Sequence, residues 1–289
     1  MHRHDGNKEP RKRGRRRGSQ VISVSGLFVY PVKSCGGVEV DEAVVGATGF
    51  ELDRRWMVVG EDGVFLSQRG HPRLALVRVR IAGDRLRLEA PDLPALEVPL
   101  EREPGPTVRV TVWRDDCAAL DEGRDAAAWF SDHLGSSARL VGLADDDARP
   151  LSSSSAQPGD KVSFADGFPF LLLSEASLEG LNKRLPLPVP MDRFRPNIVI
   201  TGCPAHAEDS WQQVRIGDVG FRVAKPCARC VITTTNQETG DRSPEPLRTL
   251  ATYRVGDGQV LFGQNLIHRG RGTVRVGEAV VALSNKTQQ

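Results

Sequence analysis

No apolar stretch in these 289 residues approaches the roughly twenty needed to carry a helix across a bilayer. There is no secretory leader pattern, and the five cysteines then point to free thiols in a reducing compartment. A soluble cytoplasmic protein is the expectation. No tandem repeat is present, and the glycines form no nucleotide-binding loop, since Gly270-Arg271-Gly272 lacks the further glycine and helix that such a loop requires. Only one Cys-x-x-Cys pair occurs, and no cysteine follows Cys230. A plant-type iron–sulfur domain, which needs a C-x4-C-x2-C run and one more cysteine, is therefore excluded from this chain.

Charge is distributed unevenly. Residues 1–20 hold eight Lys or Arg against two acids, a balance of +6, so the remainder carries 31 basic and 35 acidic residues, a balance of −4. The basic segment has no apolar residue after Met1 and reads as a disordered tail, 1–20, ahead of the first strand. Polybasic arms can attract nucleic acid or anionic lipid, but a solvated extension is the plainer reading. Neither nucleic acid nor membrane is the expected partner.

What the chain does contain is Lys225-Pro226-Cys227-Ala228-Arg229-Cys230, running into the β-branched Val231-Ile232-Thr233-Thr234-Thr235. Two thiols stand among fixed cations, and positive charge favours the thiolate, the form that attacks or binds metal. The β-branched run reads as a strand, which places both sulfurs at its start. Several uses fit a lone pair of cysteines. A structural zinc site normally takes four ligands, yet Cys35, Cys117 and Cys203 are scattered and the six histidines show no short-spaced pair beyond the tail. A thioredoxin-like site requires the pair at a helix N-terminus. Two buried, inert thiols remain the blandest alternative.

The segment 225–240, KPCARCVITTTNQETG, resembles the signature of the MOSC family, in the branch that holds the mitochondrial amidoxime reducing component and bacterial relatives. Three more segments are similar to that branch in the same order: Tyr30-Pro31-Val32-Lys33-Ser34-Cys35, Asp53-Arg54-Arg55-Trp56, and Phe194-Arg195-Pro196-Asn197-Ile198-Val199. The resemblance implies a molybdenum cofactor, a pyranopterin whose dithiolene holds molybdenum, with Cys230 as protein ligand to the metal and Cys227 packed beside it. The cofactor's phosphate calls for charge-assisted hydrogen bonds. By the resemblance Lys33, Arg54 and Arg195 supply that charge, Ser34 and Asn197 add neutral donors, and Arg229 meets phosphate or pterin. Ser174 and Ser177, where an apolar strand passes into a helix, join the implied cofactor-binding set; an N-cap explains them equally well. Gln264 and Asn265 are pocket or turn residues, and His206 and Asp209 are ionisable candidates for an acid. The implied activity is reduction of small N-hydroxylated substrates (amidoximes, hydroxylamines, N-hydroxylated bases), with electrons from a separate reductase or ferredoxin-like carrier. A non-catalytic carrier of cofactor or persulfide is the alternative.

Apolar residues from Val21 onward recur mostly with period two between turn signals, as in a barrel or sandwich. The expected fold is mainly β with a few helices: an N-terminal β-barrel-like domain over 21–145, a linker over 146–160 with its serine tract, and a β-barrel MOSC domain over 161–285. Val77 to Leu88 reads as a hairpin with one wet face, Asp125 to Leu134 as a helix closed by Gly135, and 177–185 as a second helix. The motif residues fall in both halves, so the cofactor is expected in the cleft between them.

Overall fold

A computed structural model describes residues 21–101, 105–144 and 148–285; the basic tail lies outside these residues, as does the start of the linker. The described chain is mainly β, with helices at Arg124–Leu134, Glu175–Asn182 and Leu247–Leu250.

Alternation settles the local structure where one face is wet. Arg78–Ala82 pairs antiparallel with Arg85–Glu89, and Val79, Leu86 and Leu88 point inward while Arg78, Arg80, Arg85 and Arg87 stay exposed. The helix Arg124–Leu134 buries Ala126, Trp129, Phe130 and His133 and stops at Gly135, whose φ of 67° is the left-handed conformation that a residue without Cβ adopts freely.

The two halves are woven together rather than strung in sequence. The largest sheet runs Val38–Val40, Ser23–Val29, Ile198–Thr201, Phe170–Ser174, Gln259–Arg269, Val219–Ala228, Trp211–Ile216 and Val280–Asn285. Ser23–Val29 thus pairs with Ile198–Thr201, and Glu42–Val45 pairs with Gly272–Arg275, each across well over 150 residues of chain. A separate, smaller sheet runs Trp56–Val59, Arg139–Leu143, Asp115–Asp121 and Thr107–Val112. Phe170–Ser174 and Ile198–Thr201 run parallel, and the helix Glu175–Asn182 lies in the connection between them, as a parallel crossover requires.

Phe170 packs in the core of the largest sheet. It meets Phe50 edge to face at 4.9 Å and Phe221 at 5.3 Å, so a residue of the first half shares one core with two of the second. Part of the expected linker is ordered by pairing, because Arg149–Pro150 bonds to Lys161–Val162. Arg149 itself is buried and donates to Asp115, Ser163 O and Ala165 O, which fixes the loop that follows.

One element differs from its reading in the sequence. Val231–Thr234 is a 3-10 turn, and the strand lies before the cysteines, at Val219–Ala228. The Thr233 hydroxyl donates to Cys230 O at 3.0 Å and the Thr234 hydroxyl to Val231 O at 2.7 Å. Threonine bonding back three residues competes with the sheet ladder, and here it outweighs β-propensity. The second helix likewise starts earlier than expected, at Glu175, with Ser174 as its N-cap accepting from Ser177 N.

Candidate active site

The four sequence motifs converge on one cavity. The link is Asp53, a buried carboxylate that accepts from Tyr30 N at 2.9 Å, from Arg54 Nη1 at 2.6 Å and from Asn197 Nδ2 at 3.0 Å. Tyr30 donates its hydroxyl to Pro196 O, and the guanidiniums of Arg54 and Arg195 each lie 4.3 Å from the Tyr30 ring. Burial raises the Tyr30 phenol far above its ordinary range, against the pull of the two arginines, so it stays a neutral donor. Three segments far apart in sequence are thereby locked in register around one carboxylate.

The cavity beside this knot has a volume of about 420 Å³. Lys33, Arg54, Arg69, Arg195, Lys225 and Arg229 line it, against the single carboxylate Asp166. Both Cys227 and Cys230 open onto it, with Ser34, Asn197 and Asn265. Arg229 is held from both ends, donating Nη1 to Cys227 Sγ at 3.0 Å and Nη2 to Phe194 O at 2.7 Å. Irregular pairing around Val223/Lys225 and again around Pro226/Ala228 re-aims side chains at the end of the strand, the effect expected of bulges beside a site. Arg69 donates to Cys230 Sγ at 3.4 Å and, through the same nitrogen, to Asp166. Lys33 donates to Phe164 O and pairs with Asp166. Burial alone would raise the Asp166 carboxyl, but Lys33 and then Arg69 outweigh it and hold the group below the usual carboxylate range; burial pulls the Lys33 ammonium down.

Two physical signs set this cavity apart. Arg69 Nη1, Arg195 Nη2 and Arg229 Nε are buried donors with no partner, and all three residues line it. Burying an unpaired cationic donor is costly, so a missing acceptor is implied. Ser34, Arg54, Trp113 and Arg195 also hold positive φ, four of the eight non-glycine residues that do so among the described residues. Strained backbone gathers where function over-determines it.

Residues 21–137 match the MOSC N-terminal beta barrel domain and residues 159–281 the MOSC domain. Mitochondrial amidoxime-reducing component 1 of Mus musculus is 41% identical over 94% of this chain and 86% of its own length. Component 1 of Homo sapiens is 37% identical and component 2 of Homo sapiens 35%, each over 94% of this chain and 86% of the relative. The chain belongs to this MOSC family.

Of the residues picked out from the MOSC resemblance, Lys33, Ser34, Arg54, Arg195, Asn197, Arg229 and Cys230 share the cavity wall. Ser174 and Ser177 do not line it. Both are fully buried and spend their hydroxyls on Glu208, at 3.1 and 2.8 Å, which anchors the helix N-terminus to the Ala207–Ser210 turn. Asp209 is engaged by Gln264 and Arg254, and neither it nor His206 lines the cavity. Asn265 and Gln264 lie within the strand Gln259–Arg269 rather than in a turn, and only Asn265 reaches the cavity. Sequence reasoning missed Arg69, Asp166, Trp113 and Phe168. Trp113 alone left a local signal, a bulky residue at a two-residue hairpin turn where glycine or asparagine is usual.

Proposed function

We propose that the chain is a molybdenum-cofactor-binding oxidoreductase that reduces small N-hydroxylated substrates, with Cys230 as the molybdenum ligand. The observation that supports this reading best is a cysteine sulfur on the wall of a cavity with six cations and three unpartnered guanidinium nitrogens. The donor set fits the group. A thiolate suits molybdenum as a soft ligand, while Lys33, Arg54 and Arg195, with Ser34 and Asn197, suit the pterin phosphate. The similar proteins are named as amidoxime-reducing components, which agrees with this substrate chemistry.

The bound cofactor would supply the two electrons for N–O cleavage. The chain's own residues do the rest. Asp53 holds Arg54 and Asn197 in place before anything binds, so little ordering is left to do on binding. Arg229 is fixed by Cys227 and Phe194 O with its Nε unpartnered, and Arg69 donates to Cys230 Sγ. Asp166 keeps Lys33 and Arg69 at their stations. Electrons come from a separate donor protein.

The test is to produce wild type and Cys230→Ser in a host that makes the cofactor, measure molybdenum and pterin, and assay benzamidoxime reduction with an artificial donor. Stoichiometric metal and turnover are expected in wild type, with turnover lost and metal occupancy lowered but not abolished in Cys230→Ser. Bound cofactor with no turnover on any N-hydroxylated compound would instead indicate a carrier, and protein without molybdenum would overturn the reading.

A further inference from the structure

Anion binding leaves the aromatic side of the cavity unaccounted for. The chain's four tryptophans are Trp56, Trp113, Trp129 and Trp211, and while the others are at most 6% exposed, Trp113 is 46% exposed. It occupies the first of the two residues joining Thr107–Val112 to Asp115–Asp121, with φ at 61°. Glycine ordinarily takes that place in a two-residue hairpin, so the indole is retained there against backbone strain.

The ring is also held still. The Arg69 guanidinium lies 4.5 Å from its centroid, Phe65 packs against it at 5.0 Å, and its Nε1 donates to Asp166 at 3.3 Å. Arg69 connects this ring to the sulfur, since the guanidinium that covers Trp113 also donates to Cys230 Sγ. Its Nη1 is buried without a partner. Phe168 lines the same cavity, half-buried, with the Lys225 ammonium 5.4 Å from its ring. Two aromatic rings, each with a cation, thus stand on the cavity wall near a free donor.

We propose that Trp113 and Phe168 form a ring-binding clamp that selects flat aromatic N-hydroxylated substrates, aryl amidoximes and N-hydroxylated bases, over aliphatic ones. This rests on the reductase reading for the N–O group, although binding of the ring does not require turnover. A flat ring gains stacking contact on rigid aromatics and gives up little conformational freedom, whereas a small alkyl group offers little surface to stack.

The test uses cofactor-loaded protein and two compounds, benzamidoxime and acetamidoxime. Without an electron donor, benzamidoxime is expected to quench tryptophan emission saturably and acetamidoxime to leave it unchanged. Trp113→Phe removes that signal, because the remaining tryptophans are buried. With a donor, Trp113→Gly, which suits the positive φ and so folds, lowers kcat/KM for benzamidoxime roughly tenfold. The acetamidoxime value stays within about twofold, and Trp113→Phe restores most of the benzamidoxime rate. An unchanged ratio between the two compounds in Trp113→Gly, with no quenching in wild type, overturns the clamp and leaves the reductase intact. Saturable quenching with no turnover of either compound supports the ring site while removing the reductase reading.

Discussion

The inner wall of the cavity and its aromatic side are built in opposite ways. On the inner wall, Arg54, Asn197 and Tyr30 converge on the buried Asp53, and the elements they come from were recognisable as motifs. On the aromatic side, Trp113, Arg69 and Asp166 touch one another in partial contact with solvent, and none stands in a motif. The difference teaches that one wall is fixed by a buried polar core, while the other is fixed by contacts among partly exposed side chains. Substitutions on the inner wall should therefore cost fold and cofactor together, whereas substitution of Trp113 on the aromatic side should change selectivity with little effect on either.

The largest effect is expected at Asp53. Replacing it with alanine leaves Arg54 and the Tyr30 amide without their acceptor in a buried place, and a broken buried pair costs about 3–5 kcal/mol. Urea unfolding reads this directly, and a loss under 1 kcal/mol would mean that the inner wall is not fixed as described. Next comes Arg195→Ala. Its guanidinium lines the cavity with a spare buried nitrogen, and charge-assisted bonds contribute about 1.5–3 kcal/mol. Pterin retained after dialysis should fall steeply, whereas Trp113→Gly should retain as much as wild type.

Smaller still is the stability change in Trp113→Gly. Relief of positive φ offsets the lost contacts with Arg69 and Phe65, so unfolding free energy should stay within about 1 kcal/mol of wild type. The smallest effect concerns pH. Asp166 has its folded pKa depressed, so its contribution is present above the unfolded value near 4 and is lost as pH falls through the folded value. Its side chain is 50% exposed, which keeps the contribution to a few tenths of a kcal/mol. The stability difference between wild type and Asp166→Asn should be level from pH 5 to 8 and shrink below about pH 4.

The same contrast decides what could be read from the sequence. Period-two alternation gave the hairpin Arg78–Glu89, and Gly135 marked the end of the first helix, because each depends on neighbours a few residues away. Lys33, Arg54, Arg195 and Cys230 were found through the family motifs. Arg69 was not, since its place is set by Cys230, 161 residues further along, and by Trp113 across another sheet. The turn at Val231–Thr234 was misread for the opposite reason. β-Branched residues suggested a strand, but threonine hydroxyls satisfied the backbone locally. Ser174 and Ser177 had two explanations at the outset; the structure shows the cap, with Glu208 behind it.

The most direct measurement is X-ray absorption at the molybdenum edge, comparing cofactor-loaded wild type with Cys230→Ser. The account predicts one sulfur neighbour fewer around the metal in the variant, with the cofactor's own sulfurs unchanged in both. An identical sulfur shell in the two proteins would contradict it.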